Sequence, residues 1–355
     1  MKLYDSHIYN IDLDCTLNLS LPWQKLQNKS IMVSGATGLI GSFLIDLIME
    51  KNIRDGLNCT VYALGRNKQK AMERFSKYQE DGRIVFVPYD VKYPLKIEDV
   101  GTVDYVLHLA ANTHPMLYAT DPIGTITTNL IGAQNMLDFS VEHNATRFLF
   151  ASSNEMYGEN RGDVEFFDED YCGYINCNTL RAGYPESKRC SEALCQAFKQ
   201  QKGLDVVIAR LTRSYGPTMN MSDTKAVSQF IKKGIAGEDI VLKSDGTQYF
   251  SYTYMADAVS GLLWILLAGE NGEAYNIADE SGDIQLRDLA ANIAAINGKN
   301  VVFEIPDAIE ASGYSRVTKA RLNGDKLKKL GWAPQYDIKT GMERTISILK
   351  SINKE

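Results

Sequence analysis

The sequence predicts an α/β protein with a doubly wound parallel sheet and a smaller mixed α/β lobe at its C-terminal end. Between residues 30 and 209, short runs rich in β-branched and aromatic residues alternate with longer helical segments. A glycine-rich turn follows the first of these runs. Beyond Arg210 the alternation loosens into scattered helices and isolated strands. Because parallel neighbours need a long crossover, strands separated by helices indicate a parallel sheet.

The composition is that of an ordinary globular protein and argues against several classes of function. The chain has 355 residues, 45% hydrophobic and 23% charged, with a net charge of -6, which leaves no basic surface for nucleic acid. We see no apolar run of membrane-spanning length and no signal peptide, so we expect a cytoplasmic protein without a membrane partner. The six cysteines form no CxxC pair and have no neighbouring histidine, which favours structural thiols over a metal site.

Six strands of the main sheet are predicted in chain order. They are Ser30–Ser34, Thr60–Leu64, Ile84–Val87, Tyr105–Leu109, Arg147–Ala151 and Val206–Ala209. Each is a short run rich in residues that favour strands. Two long helices are expected between them, over about residues 122–143 and 184–201. In the smaller lobe we expect helices over 224–236 and 286–296, and strands over 240–242 and 301–303.

The glycine-rich turn predicts a dinucleotide site. Gly35, Gly38 and Gly41 stand in a GxxGxxG spacing, with Leu39 and Ile40 between the last two, where a strand gives way to a helix. Gly35 permits a tight turn, Gly38 lets the backbone approach a pyrophosphate, and Gly41 allows close helix–strand packing. We therefore expect an N-terminal arm (1–28), a Rossmann-type NAD(P)-binding domain (29–210) and a mainly substrate-binding lobe (211–355) that partly returns to that domain. The arm is expected to pack on the body or on a partner subunit.

The choice between the two nicotinamide cofactors stays open on these residues. NAD sites usually carry an acid at the end of the second strand, but here that strand ends in Gly65, Arg66 and Asn67. Arg66 would pair with the 2′-phosphate of NADP or stack on the adenine. Asp90 would contact the adenine or cap the next turn. Further residues expected to line the cofactor are Val91, Leu109, Ala110, Ala111 and Asn129.

Four residues predict proton and hydride transfer. Tyr184 and Lys188 are four apart on a predicted helix and therefore share a face. The Lys188 ammonium is expected to lower the pKa of the Tyr184 phenol from about 10, which would prepare it to take a proton from an alcohol. Ser153, at the end of the fifth strand, would hydrogen-bond that alcohol. Glu155, two residues further, would act on the neighbouring carbon. The prediction is an enzyme that moves hydride.

The chain from about Lys29 to its end resembles the extended short-chain dehydrogenase/reductase family that acts on nucleotide sugars. Within that family it is most similar to UDP-glucuronate decarboxylases. The segments that carry this resemblance are 104–111, 128–135, Glu169-Asp170-Tyr171, Asn176, Arg181-Ala182-Gly183-Tyr184, Tyr215-Gly216-Pro217-Thr218-Met219, 227–231 and Leu330-Gly331-Trp332.

The resemblance implies NAD as cofactor, with NADP not excluded, and a nucleotide-diphosphate sugar as substrate. Tyr184 would take the proton of the sugar 4-hydroxyl while hydride leaves C4, and a transient 4-ketone would allow a C6 carboxylate to leave as CO2. Glu155 would position the ring or handle the C5 proton. Asn129 would order the surroundings of Lys188. The residues implied to bind substrate are Asn154, Arg181, Arg213, Tyr215 and Arg316. His114 lies in a loop expected over the nicotinamide, and the two long helices imply a homodimer.

Three departures from the family pattern keep other reactions open. Asn154 stands where 4,6-dehydratases carry an acid, Arg213 replaces an asparagine, and Phe250 replaces an arginine that meets the diphosphate. Arg213 would supply the charge that Phe250 lacks, or the exchange marks a different nucleotide or sugar. The alternatives are a 4,6-dehydratase, a 4-epimerase, a net NAD(P)-dependent oxidoreductase and a non-catalytic cofactor-sensing protein. Glu155 counts against simple epimerisation.

Overall fold

The computed structural model describes residues 2–97, 102–113, 115–304 and 317–353 of the chain. The strands are β1 (Ser30–Ser34), β2 (Thr60–Gly65), β3 (Ile84–Pro88), β4 (Tyr105–His108), β5 (Arg147–Ser153), β6 (Val206–Leu211), β7 (Arg213–Tyr215), β8 (Ile240–Leu242), β9 (Tyr249–Tyr254), β10 (Ala274–Ile277), β11 (Asp283–Gln285), β12 (Val301–Phe303) and β13 (Lys319–Ala320). The helices are α1 (His7–Leu17), α2 (Leu39–Asp55), α3 (Lys68–Arg74), α4 (Pro115–Thr120), α5 (Pro122–Glu142), α6 (Gly183–Lys202), α7 (Ala226–Ala236), α8 (Met255–Ala268), α9 (Leu286–Ala295), α10 (Asp325–Lys328) and α11 (Ile338–Ile352).

Seven parallel strands form the main sheet, in the order β10-β6-β5-β4-β1-β2-β3. The order reverses between β1 and β4, which is the switch point where doubly wound sheets bind ligands beyond the carboxyl ends of their strands. Both central strands are almost fully buried, as expected for a sheet covered by helices on both faces. The predicted doubly wound sheet is confirmed, and it includes a seventh strand, β10.

Short strands build the smaller lobe. In one sheet, β9 pairs with β7 and β13 in parallel and with β11 antiparallel, while β8 and β12 form a second pair. The lobe was expected to be mixed, and it is. Because β10 lies in the main sheet beside β6, the chain returns to that sheet after entering the lobe. The domain boundaries at residues 28 and 210 remain a proposal.

The N-terminal arm packs on the body of this chain. Helix α1 lies against α2, α8 and α11. A buried ion pair between Asp46 of α2 and Arg74 of α3 receives the hydroxyls of Tyr4 and Tyr9 from the arm, at 3.0 and 2.5 Å from the Asp46 oxygens. Asp46 is fully buried. The two tyrosines of the arm therefore donate hydrogen bonds to the Asp46 carboxylate, which lies two turns into α2.

Most predicted elements agree with the structure to within two residues. The fifth strand is longer than predicted, because β5 continues through Ser153 and the fifth and sixth strands stay paired there. Among the described residues, no helix is both long and apolar enough to cross a membrane.

Removing the Arg74 guanidinium should destabilise the fold. We expect Arg74→Ala to lower the free energy of unfolding by about 3–5 kcal/mol, because it leaves the Asp46 carboxylate buried without its cation. Urea denaturation followed by circular dichroism measures this loss. Arg161→Ala is the control, since Arg161 pairs with Asp163 while more than half exposed, and should change stability by less than about 1 kcal/mol. Equal losses in the two variants would contradict a structural role for the buried pair.

Candidate active site

The glycine turn forms a cradle at the carboxyl end of β1. Gly35 has φ +74, a value that side chains rarely allow, and an added Cβ would meet the Ala110 backbone nitrogen at 2.9 Å. A Cβ on Gly41 would meet the Gly35 carbonyl at 2.5 Å. The turn opens into α2, with Gly38 at its N-cap and Leu39 and Ile40 in the first turn. The free N–H groups of a helix N-terminus bind phosphate, so these residues fit a dinucleotide pyrophosphate.

The neighbouring strands supply the walls of this cradle. The Ser34 hydroxyl accepts a hydrogen bond of 3.2 Å from the Ala110 N–H, which holds the 109–111 segment against the turn. The side-chain oxygen of Asn129 accepts from the Asn112 N–H at 3.2 Å, and its nitrogen donates to the Ser187 hydroxyl at 2.9 Å. Asn129 thus ties the end of β4 to the helix that carries Lys188. Val91 is buried against Gly132 of α5.

The far end of the cradle carries no carboxylate at the end of β2. Arg66 is exposed there, and the Asn67 side chain caps α3 by accepting from the Lys70 N–H at 2.8 Å. Asp90 accepts from the Lys92 N–H at 3.1 Å and so caps its own turn, one of its two predicted roles. This end of the site holds a free guanidinium where an acid was expected for NAD.

Ser153, Tyr184 and Lys188 come together between β5 and α6. Ser153 ends β5, and its hydroxyl lowers the pKa of the buried Tyr184 phenol. Lys188 lies one turn along α6 from Tyr184, and its ammonium donates to the Ala151 carbonyl at 2.7 Å. The sequence prediction that these three residues share one site agrees with this geometry.

The pKa of Tyr184 differs in direction from the sequence prediction. Burial raises it above its ordinary value of 10.0, the Glu155 charge raises it further, and Ser153 and Arg181 only partly oppose this. The Lys188 nitrogen lies 6.0 Å from the Tyr184 ring centroid. Helical spacing places the lysine on the correct face but does not show how far burial outweighs its charge.

Burial also lowers the pKa of Lys188, from 10.5 to about 8, and Glu192 and Cys195 partly counteract it. The ammonium is surrounded by apolar groups, with the Phe150 ring centroid 4.7 Å away. A lysine with a pKa of about 8 gives up its proton more readily than an exposed lysine does. This property suits a residue that exchanges protons with a neighbouring tyrosine.

Glu155 forms an ion pair with Arg181, which lies just before α6. Their ion pair has a distance of 2.7 Å, and each side chain is 23% exposed. The Arg181 guanidinium lies 4.8 Å from the Tyr118 ring centroid, and that ring stacks on Tyr184 at 5.0 Å. The pair therefore stands directly beside the phenol.

Tyr118 of α4 is a site residue that the sequence analysis missed. Its ring is sandwiched between Arg181 and Tyr184 and limits the movement of both. Arg189 was also missed: its guanidinium donates to the Met156 and Gly173 carbonyls at 2.6 and 2.8 Å and fixes the turn that carries Glu155. A tyrosine in a loop after the fourth strand was the available signal for the first. Arg189 follows Lys188 directly, but only the fold reveals its partners.

The structure places some of the predicted substrate-binding residues at the site and others away from it. Asn154 is buried beside Ser153, whose hydroxyl lies 3.5 Å from its side-chain oxygen. Arg213 of β7 stacks on Phe250 and interacts electrostatically with Glu155 and Arg181. Tyr215 is not brought to the site: its side chain is buried, and its hydroxyl donates to the Ile338 carbonyl at 3.4 Å. Arg316 and His114 lie outside the described residues.

A doubly wound sheet with a glycine cradle and a Ser–Tyr–Lys group at its carboxyl edge defines a Rossmann-type short-chain dehydrogenase/reductase. The model of the NAD dependent epimerase/dehydratase family matches residues 31–278. The chain belongs to that family. UDP-glucuronic acid decarboxylase 5 of Arabidopsis thaliana is 31% identical to it over 318 residues, which cover 89% of this chain and 87% of the relative. UDP-glucuronic acid decarboxylase 1 of Xenopus tropicalis is 32% identical, covering 90% and 71% of the two chains.

Solved structures share the fold. A dTDP-glucose 4,6-dehydratase from Streptomyces venezuelae with NAD bound superposes with a TM-score of 0.76 at 23% identity, covering 91% of this chain and 97% of that one. The UDP-glucuronic acid 4-epimerase of Bacillus cereus, in complex with UDP-glucuronic acid and NAD, gives 0.76 at 20% identity, covering 91% and 99%. The predicted family and fold are confirmed.

The lowered pKa of Lys188 should appear in protein stability. Below about pH 8 folding must bury a charged ammonium, and this cost disappears as pH rises towards 10.5, where the unfolded lysine also loses its proton. We expect Lys188→Met to have a higher free energy of unfolding than the wild type at neutral pH, which means that the variant is more stable. The difference in free energy of unfolding between the two proteins should decrease by about 2 kcal/mol between about pH 7.5 and about pH 9.5.

Urea denaturation of both proteins across this pH range gives the measurement. Lys202→Met removes an exposed lysine from the end of the same helix and controls for the loss of a surface charge. A Lys188→Met difference that stays constant with pH, or that widens as pH rises, would show that the buried ammonium carries no such cost.

Proposed function

We propose that this protein is an NAD-dependent nucleotide-sugar enzyme that oxidises the sugar C4 hydroxyl to a transient ketone, most similar in its reaction to a UDP-glucuronate decarboxylase. The observation that carries the proposal is the Ser153–Tyr184–Lys188 group beside the glycine cradle, with the Glu155–Arg181 pair next to the phenol. The relatives that match this chain over most of its length and are about 31% identical to it are named UDP-glucuronic acid decarboxylases.

The residues of this chain would divide the first step between them. When bound, oxidised nicotinamide supplies a hydride acceptor and a positive ring charge. Tyr184 first gives up its own proton to solvent, which the positive ring charge would favour, and the phenolate then takes the proton of the 4-hydroxyl as C4 loses its hydride and the C4–O bond becomes a carbonyl. Ser153 holds the hydroxyl oxygen by hydrogen bonding. Lys188, anchored on the Ala151 carbonyl, places its positive charge on the face of α6 that carries Tyr184, where it favours the phenolate. Gly35, Gly38 and Gly41 hold the dinucleotide by backbone contact.

Decarboxylation needs no further cofactor. In a 4-keto-glucuronate the C6 carboxylate is β to the ketone, so the C5–C6 bond electrons pass to C5 and are delocalised onto the C4 oxygen as CO2 leaves. A proton then returns to C5, and hydride and proton return to C4, which makes the product a pentose. Glu155 pairs with Arg181 in the site, so it is placed to orient the ring or to position a water molecule that supplies the C5 proton.

The other reactions have less support from the site. Dehydration at C6 calls for a carboxylic acid at the position of Asn154, and a buried amide beside Ser153 cannot donate a proton in this way. A 4-epimerase would leave Glu155 and its ion pair without a role. A net oxidoreductase with NADP has one specific support, the exposed Arg66 in place of an acid at the end of β2. The panel described below separates all of these reactions.

We also propose a homodimer formed through α5 and α6. The two helices pack side by side, and α5 presents Ile123, Ile126 and Ile131 at 76%, 40% and 40% exposure. A second copy of the same helix pair would cover these side chains. All six cysteines are free, and exposed thiols persist in a reducing compartment, so we propose the cytoplasm as its location, which cell fractionation checks.

The reaction itself is tested by mass spectrometry. Purified protein, with NAD or in parallel with NADP, is incubated with UDP-, dTDP-, GDP- and CDP-sugars, including UDP-glucuronate. We expect loss of CO2 from UDP-glucuronate, and Tyr184→Phe should lower its rate at least about 100-fold while NAD binding is retained, because only the proton acceptor is removed. Tyr174→Phe, at an exposed tyrosine, is the matched control.

Other outcomes of the same experiment would contradict the proposal. Loss of water would make the protein a dehydratase, and a new isomer of unchanged mass, detected by NMR, would make it an epimerase. Stoichiometric NADH or NADPH would make it a net oxidoreductase. Full activity in Tyr184→Phe would exclude the mechanism for every one of these reactions.

The dimer is tested by placing a charge on its expected face. We expect wild-type protein to have the mass of two chains by light scattering, and Ile131→Asp to have the mass of one, because the new carboxylate would be buried without a partner. Ile53→Asp, an isoleucine of α2 that is 52% exposed, should leave the mass unchanged. A monomeric wild type would refute the proposal.

A further inference from the structure

Arg213 is a partly buried cation, and none of the described ion pairs includes it. Its guanidinium carbon lies 3.5 Å from the centroid of the Phe250 ring. Its Nη1 atom is shielded from solvent and has no hydrogen-bond partner in the described part of the chain. Arg321, by contrast, also lies over an aromatic ring, that of Phe166 at 4.0 Å, and is neutralised by Asp283 at 2.8 Å. Only the second arrangement is electrostatically complete.

The strand register explains where Arg213 points. Arg213 of β7 is paired with Tyr252 of β9, and Phe250 is two residues earlier on the same face. The arginine side chain therefore crosses the strand pair diagonally and lies on the Phe250 ring. The Glu155–Arg181 pair lies near enough for both of its charges to act on the pKa of Arg213.

The charges around Arg213 do not balance. Burial lowers its pKa, and the nearby Arg181 lowers it further, while Tyr252 and Glu155 raise it. Glu155 already pairs with Arg181 at 2.7 Å, so two guanidinium groups share one carboxylate. The Nε atom of Arg181 is also buried without a hydrogen-bond partner. Among the residues that the structure describes, this corner of the site therefore has more positive than negative charge and N–H donors without acceptors.

An arginine keeps its proton in proteins, so such a charge is costly to bury unless an anion meets it. Stacking on Phe250 occupies one face of the guanidinium and leaves its edge, where the N–H groups lie, free for a forked pair of hydrogen bonds. We propose that Arg213, supported by the Phe250 ring, is the residue that binds an oxyanion of the substrate next to the Glu155–Arg181 pair. This inference rests on the proposed nucleotide-sugar substrate, because that ligand brings the anion.

The oxyanion has two sources within one ligand class, a carboxylate on the sugar or a phosphate of the nucleotide. Calorimetric titration separates them with three probes: UDP, UDP-glucose and UDP-glucuronate. The titrations use NAD-loaded protein in the Tyr184→Phe background, so that no ligand is consumed. Each probe is titrated into this protein with Arg213 intact, and then with Arg213→Gln and Arg213→Lys.

If the sugar carboxylate is bound, Arg213→Gln should weaken UDP-glucuronate at least about 10-fold and leave UDP and UDP-glucose unchanged. If a phosphate is bound, all three probes should weaken by a similar factor. In both cases Arg213→Lys should restore only part of the loss, because an ammonium keeps the charge but not the fork. Phe250→Leu, which keeps the arginine and removes its support, should weaken the same probes about threefold or more.

Arg161→Gln is the matched control, since Arg161 also lies over a ring, that of Tyr171 at 5.3 Å, but is exposed and paired with Asp163. Its titrations should equal those of the parent protein. Unchanged affinity for all three probes in Arg213→Gln, or a parent that binds none of them, would overturn the assignment. Tight binding of UDP-glucuronate without turnover by the wild type would instead refute the proposed reaction and leave the assignment standing.

Discussion

The contact between the Gly35 turn and the Ala110 backbone is the constraint on which the site depends. It holds the carboxyl ends of β1 and β4 so close that no side chain fits between them. Since all seven strands are parallel, fixing this edge also fixes the position of β5, which carries Ser153 on the other side of β4. The N-terminus of α2 and the hydroxyl of Ser153 then face one cleft. A single close backbone approach thereby sets the distance between the cofactor cradle and the proton-transfer residues.

Burial governs the chemistry of that cleft more than any single charge does. It raises the pKa of Tyr184 and lowers that of Lys188, so both residues are biased towards their neutral forms in the protein alone. With a raised pKa, Tyr184 would stay protonated until the positive charge of an oxidised nicotinamide ring is bound nearby. The same low polarity strengthens the Glu155–Arg181 pair and makes the Arg213 charge costly, since its Nη1 atom has no hydrogen-bond partner among the described residues. The site is therefore arranged around charges that a ligand must complete.

Sequence reasoning reached the parts of the structure that follow from periodicity and local geometry. The six predicted strands, the glycine cradle and the common face of Tyr184 and Lys188 all depend on spacing along the chain, and the structure agrees with each. It could not give the pKa direction of Tyr184, which depends on burial by elements distant in sequence. It also missed Tyr118, because nothing in a six-residue helix indicates that its ring will lie on a tyrosine 66 positions later. The burial of Tyr215 depends on its contact with Ile338, which is more than one hundred positions later in the chain.

Arg213 and Phe250 are the two departures from the expected family pattern that the structure brings into direct contact. Position 250 lies on β9 and position 213 on its neighbour β7, and the 3.5 Å stack places the arginine charge directly over the ring that occupies position 250. From the sequence, an arginine gained on one strand and an aromatic ring on another are separate departures from the family pattern. In the structure they are one unit, because the ring gives the guanidinium a flat surface and directs its N–H edge. A cation supported in this way is more rigid than an arginine held only by its flexible stem, so less conformational freedom is lost when an oxyanion binds.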